Sequence, residues 1–169
     1  MKIFLIGYMG SGKSTVGKKL AEKLKLDFVD FDKHIEKEQG KTIAEIFETD
    51  GEEKFRLLEH ECLKKIVHLE NAVISLGGGT PCFYNNIELI NKNGISVYIE
   101  TGVLDLVHRL SKAKNKRPLI KGMNDVDLKF FIEANLDKRN PVYRQAHHTI
   151  KVEKQNIEAV VEQIQKIIS

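Results

Sequence analysis

The segment Gly7-Tyr8-Met9-Gly10-Ser11-Gly12-Lys13-Ser14 constrains this chain more than any other. It fits G-x-x-x-x-G-K-[ST] at every position and follows the β-forming run Lys2–Ile6 directly. Beyond it, Val16, Leu20 and Leu24 recur every four residues with lysines between them, which is helical spacing. A strand, a glycine loop and a helix in that order make a cradle for an anion. The glycines let backbone N–H groups converge on phosphate oxygens with no Cβ in the way. The helix starting near Lys13 directs the positive end of its dipole at the same anion. Lys13 is placed to reach the β- and γ-phosphates, and the Ser14 hydroxyl to ligate Mg²⁺. The plain alternative is a glycine-rich turn with an incidental lysine, but a chance match in a chain of this length is on the order of one in a hundred. The motif serves kinases, GTPases, motor ATPases and nucleotide switches alike, so it fixes the ligand class and not the reaction.

The rest of the chain narrows the class. Its 169 residues suit one compact domain, 1–169, and 41% hydrophobic with 30% charged residues is ordinary for a globular protein. A net charge of +3 is too small to argue for nucleic acid, and no basic stripe with interleaved aromatics is visible. No stretch approaches the ~20 apolar residues of a membrane span, and the apolar run at the start is too short for a signal peptide. Cys62 and Cys82 form neither a CxxC pair nor a metal cluster, as expected in a reducing compartment. The six histidines lack HxH and HExxH spacing, which argues against zinc. The expectation is a soluble cytoplasmic protein without nucleic-acid or membrane partners.

Short apolar runs alternate with amphipathic stretches. After Lys2–Ile6, strands are predicted at 28–29, 72–76 and 95–99, with a weaker one at His148–Val152. Strands separated by helices predict an α/β fold with a parallel sheet covered on both faces, and ligands at the carboxyl ends of the strands. Two segments interrupt the alternation. About forty residues of helix lie between the second and third strands, opened by the capping box Thr42-Ile-Ala-Glu45 and turned at Asp50-Gly51. Residues 111–125, with Arg117-Pro118 and Gly122, have little apolar periodicity and read as a mobile loop or a solvated connection.

The unusual residues fall at strand ends. Asp30 and Asp32 close the run Phe-Val-Asp-Phe-Asp, and residues two apart in an extended chain point the same way. One carboxylate can hold Mg²⁺ through water while the other accepts a proton from an attacking hydroxyl; the alternative is Asp32 as a helix N-cap. Three glycines, Gly77-Gly78-Gly79, follow the third strand and allow backbone to approach a ligand. Arg56 lies one helical step from Glu59, which can hold its guanidinium, and Arg139 lies near the end of another helix. Meeting in one cleft, the two would select an anionic substrate; alone, each reads as a solvated helical arginine. Arg117, brought in by closure, would neutralise charge on a transferring phosphoryl group.

Taken in order, these segments resemble the shikimate kinase family. The matching features are Gly7 to Thr15, Asp30-x-Asp32, Phe55-Arg56-x-x-Glu59, Gly77-Gly78-Gly79, Lys116-Arg117-Pro118-Leu119 and Arg139-x-Pro141-x-Tyr143, and they run over essentially the whole chain. The resemblance implies a three-layer P-loop NTPase fold with a five-stranded parallel sheet, a helical substrate-binding insertion near 33–61 and a mobile lid near 111–125. It implies a monomer that uses ATP and Mg²⁺ to phosphorylate the 3-hydroxyl of shikimate. Gly10, Ser11, Gly12, Lys13, Ser14, Thr15 and Arg117 would contact ATP, and Arg109 would stack on adenine. Ser14 would ligate Mg²⁺, with Asp30 holding it through water. Asp32 would bond the reacting hydroxyl and act as base, with Lys13 and Arg117 assisting transfer. Arg56 and Arg139 would bind the carboxylate, and the Gly78 backbone would contact a hydroxyl.

The chain departs from that pattern in carrying Phe31 between the two aspartates, where the family often has a small residue. The Arg109–Arg117 interval varies among similar proteins, and no further adenine contact is matched near 154–156. Two rivals stand beside this reading. A gluconate-type sugar-acid kinase would share the phosphate loop and an anionic acceptor without requiring both arginines and the glycine triplet. A non-catalytic nucleotide switch would be expected to have lost Lys13, Asp32 or one of the arginines.

Overall fold

The computed structural model describes residues 1–113, 117–154 and 156–169. Five strands, β1 (Lys2–Ile6), β2 (Asp27–Asp30), β3 (Ala72–Ser75), β4 (Ile95–Thr101) and β5 (His148–Val152), form one parallel sheet in the order β2-β3-β1-β4-β5. The strand at the centre explains its own sequence. Ile3, Phe4, Leu5 and Ile6 are all fully buried, because helices cover both faces and no polar alternation is needed. Edge strand β5 alternates instead, with Ile150 and Val152 turned inward and Thr149 and Lys151 outward.

Two cores sit on opposite faces of the sheet. On one, Ile3, Leu5, Val73, Val97 and Ile99 pack against α1 (Lys13–Leu24) through Val16 and Leu20, and against α7 (Ile157–Ile168) through Val161 and Ile164. On the other, Phe4, Ile6, Ile74 and Tyr98 meet Leu63 and Ile66 of α3 (Ile43–Ile66), Ile90 of α4 (Asn86–Asn93), Leu106 of α5 (Val103–Ala113) and Ile132 of α6 (Asp125–Tyr143). Each fully buried aliphatic side chain contributes roughly 1.5–3 kcal/mol. That burial holds the carboxyl ends of β1, β2 and β3 side by side, Asp30 in register with Ser75.

The insertion between β2 and β3 is α2 (Phe31–Gln39) followed by α3. Thr42 and Glu45 form the expected capping box at the start of α3. The expected turn at Asp50-Gly51 is a bend inside α3, where Gly51 adopts φ 82° and ψ 170°. The aspartate pair needs a correction. Asp30, not Asp32, caps α2, its carboxylate accepting from the Lys33 N–H at 3.3 Å. Phe31 already opens the helix and is fully buried, so strand alternation is not what turns the two carboxylates the same way. Of the segment 111–125, residues 111–113 end α5, Pro118–Ile120 form a 3₁₀ turn and Asp125 opens α6, while 114–116, including Lys116, lie outside the described residues. No helix among the described residues is long and apolar enough to cross a membrane.

Candidate active site

The loop from Gly7 to Gly12 turns back on itself, with Gly10 at φ 80° and Gly12 at φ 88°, left-handed geometry that glycine adopts without Cβ strain. Gly12 caps α1, so the first N–H groups of that helix face the loop. Lys13 folds back into the loop, donating to the Gly7 carbonyl at 2.8 Å and the Tyr8 carbonyl at 3.0 Å. Burial lowers its pKa to about 8, opposed by Asp32 and helped by Arg117.

A cavity of about 430 Å³ opens over this loop. Gly10, Gly12, Lys13, Ser14, Thr15, Asp30, Asp32, Gly78 and Arg117 all line it, so most of the residues singled out in the sequence share one space. Ser11 is buried beneath, its side chain 3.4 Å from Lys13 Nζ. Ser14 Oγ donates to Asp30 at 3.3 Å and lies 3.3 Å from the Ser75 hydroxyl. A hydroxyl and carboxylates at an open wall suit a hard, water-rich cation such as Mg²⁺, which uses one or two protein oxygens beside phosphates. The described residues hold no cluster of three His, Cys, Asp or Glu that could cage a metal. Asp32 has its pKa raised by burial; Lys13 opposes the shift, and Asp30 and Glu36 add to it.

The two arginines approach neighbouring glycines, and neither is among the residues lining the cavity over the phosphate loop. A Cβ on Gly78 would stand 3.5 Å from Arg139 Nη1, and one on Gly79 only 2.5 Å from Arg56 Nη1, so neighbouring glycines carry the two guanidiniums. Arg139 stacks on Tyr8 at 5.5 Å, which ties it to the phosphate loop. Tyr143 donates to the Gly78 carbonyl. Arg56 is buried and pairs with Glu59 at 3.2 Å and Glu52 at 3.4 Å. Burial raises the Glu59 pKa, while Arg56 and a 2.7 Å bond from Thr80 pull it back. The expected Arg56–Glu59 pair is therefore present inside the protein rather than on a solvated face.

Arg109 stands apart from this cavity. It donates to the Gly10 carbonyl at 3.0 Å and lines a narrow crevice with Gly12, Val16 and Asn156. Asn156 belongs to the stretch where no adenine contact was matched; Gln155 beside it lies outside the described residues. Three residues were missed in the sequence. Ser75 ends the apolar run of β3, and that polar break was the available signal. Glu36 lines the cavity one helical turn after Asp32, a spacing open to inspection. Phe83, whose ring lies 4.3 Å from the Arg56 guanidinium carbon, gave no signal at all.

Residues 9–169 match the family model for shikimate kinase. The chain is 43% identical to the shikimate kinase of Parabacteroides distasonis over 96% of its length and 94% of the relative. The crystal structure of shikimate kinase from Bacteroides thetaiotaomicron superposes with a TM-score of 0.94 at 41% identity, covering 99% of this chain and 98% of that one. A shikimate kinase from Acinetobacter baumannii in complex with shikimate follows at 0.91 and 36%, covering 99% and 92%. A gluconokinase from Sinorhizobium meliloti reaches only 0.55 at 19% identity, a likeness of fold alone.

Proposed function

The chain belongs to the shikimate kinase family and is an ATP-dependent kinase of shikimate, and we propose that the cleft over the phosphate loop performs the transfer with the residues that line it. ATP lays its phosphates on the N–H groups of Gly10, Ser11, Gly12, Lys13, Ser14 and Thr15. Lys13 exchanges the Gly7 and Tyr8 carbonyls for phosphate oxygens, a swap favoured because burial disfavours its charge. Arg109 flanks the adenine side. Ser14 and, through water, Asp30 would hold Mg²⁺. Bound there, Mg²⁺ would supply charge neutralisation at the β- and γ-phosphates.

Arg56 and Arg139 grip the shikimate carboxylate, and the Gly78 backbone meets a ring hydroxyl. The 3-hydroxyl then points to Asp32, which accepts its proton as the oxygen attacks the γ-phosphorus and ADP leaves. A raised carboxylate pKa makes Asp32 a better base than a free aspartate. Arg117, lining the same cavity, stabilises charge on the moving phosphoryl group from a lid at 111–125, while the insertion at 33–61 carries the acceptor site. One copy contains every part of the cleft, which supports a monomer; the free thiols of Cys62 and Cys82 fit a reducing cytoplasm.

The observation that carries this reading is the meeting of phosphate loop, Asp32 and both arginines around one glycine triplet. The test is ADP release from Mg·ATP with shikimate, gluconate or nucleoside monophosphates as acceptor. Release with shikimate alone is expected. Release with gluconate alone, or none despite ATP binding, would overturn it.

A further inference from the structure

The stretch from Thr80 to Asn86, the first residue of α4, meets residues 56–60 of α3 at four points. Thr80 donates to Glu59 at 2.7 Å. Phe83 covers the Arg56 guanidinium at 4.3 Å, with Phe55 at 5.3 Å. Tyr84 stacks on His60 at 5.4 Å. Asn86, fully buried, bonds His60 Nδ1 at 2.6 Å and donates back to the Thr80 carbonyl at 2.8 Å. Tyr84 and Asn85 both adopt left-handed backbone, φ 49° and 57°. Two such non-glycine residues in succession persist only where surrounding contacts over-determine them, as they do at functional sites. Phe83 directly precedes this pair, with its ring 4.3 Å from the Arg56 guanidinium carbon. Its ring is only half-buried and is not part of either core, so filling space does not account for it.

We infer that Phe83 is a positioning residue for the acceptor carboxylate: its ring fixes the plane of the Arg56 guanidinium before substrate arrives. Glu59 and Glu52 take one N–H each from Nη1 and Nη2, and the ring covers a face. What remains is the edge formed by the second N–H of Nη1 and of Nη2, since Nε is buried and closed to a ligand. A carboxylate must approach that edge in the guanidinium plane, the geometry of a two-point contact. The preset plane spares the substrate the cost of ordering the arginine, so the gain falls on binding and not on the chemical step.

The inference rests on Arg56 holding the carboxylate, and a double-mutant cycle separates the two ideas. Phe83→Leu is expected to raise KM for shikimate by up to about tenfold, the cost of ordering one long side chain on binding. It should leave kcat and KM for ATP within about twofold, and Phe83→Tyr, which keeps the ring, should restore KM. In an Arg56→Ala background, Phe83→Leu should add nothing. Calorimetric titration of shikimate alone, with Phe83→Met as a second variant, repeats the measurement without turnover. If Arg56→Ala raises KM and Phe83→Leu does not, or if the two effects multiply, the positioning role is wrong. If Arg56→Ala leaves KM unchanged, the carboxylate assignment falls and takes this role with it.

Discussion

Arg56 lies so close to Gly79 that a β-carbon on the glycine would stand 2.5 Å from Nη1 and 2.7 Å from Nη2. Gly79 itself has ordinary backbone angles, φ −89° and ψ −15°, so alanine there meets no conformational penalty. The conflict is purely with the guanidinium. Gly79→Ala is expected to raise KM for shikimate at least tenfold, the loss of a charge-assisted hydrogen bond, with little change in KM for ATP. Gly102→Ala, where no atom lies within 4 Å, is the neutral control. Equal KM values for the two variants would remove Arg56 from the acceptor site.

Asp32 should work against the fold. Burial raises its pKa more than Lys13 lowers it. A carboxyl with a native pKa above its unfolded value of about 3.9 binds more protons native than unfolded between the two. Stability therefore falls as pH rises through that window, and the cost persists above it. Asp32→Asn is expected to raise Tm at pH 7, with the gain vanishing as pH drops below about 4, while transfer falls roughly 10²–10⁴-fold. A Tm at or below wild type at pH 7 would show that the attraction to Lys13 outweighs burial.

Lys13 titrates in reach of experiment. Its pKa is lowered to about 8, chiefly by burial. Because this native value lies below the unfolded value of about 10.4, stability of the empty protein gains as pH rises between the two. Phosphates beside the ammonium reverse the shift, so ATP binding at pH 8.5 should take up a fraction of a proton. Calorimetry in two buffers of different ionisation enthalpy measures it, and Lys13→Met should abolish it. No uptake in the wild-type protein would mean that Lys13 does not move onto the phosphates.

Arg117 lines both the phosphate cavity and a neighbouring apolar space walled by Met9, Ile43, Phe47 and Leu119. As a charge-stabilising group it should matter to the step and not to acceptor binding. Arg117→Ala is expected to lower kcat about 10³-fold with KM for shikimate nearly unchanged. A rise in KM alone would make it a binding residue.

What the sequence disclosed was local. The phosphate loop, the Thr42–Glu45 box and the Arg56–Glu59 pair are each written within eight residues or fewer, and each has the expected geometry. The weak fifth strand was found at its true limits because its alternation survives at a sheet edge. What stayed hidden depends on distance along the chain. Nothing near Arg56 announces Phe83 or Gly79, since only the packing of α3 against the loop after β3 joins them. Asp30 and Asp32 do line one cavity, although strand alternation is not what brings them there. Phe31 looks like a strand residue between two acids, yet its burial anchors the first turn of α2, and that helix places Asp32.

The bend at Gly51 divides α3 into two pieces with different tasks. Ile43, Ala44 and Phe47 before it wall the apolar space beside the cleft, whereas Arg56 and Glu59 after it hold a charge. The pieces share a joint and one ring contact, Phe47 on Phe55 at 4.7 Å. On the proposed assignment, substitutions before the bend would reshape the apolar wall without moving the carboxylate anchor that follows it.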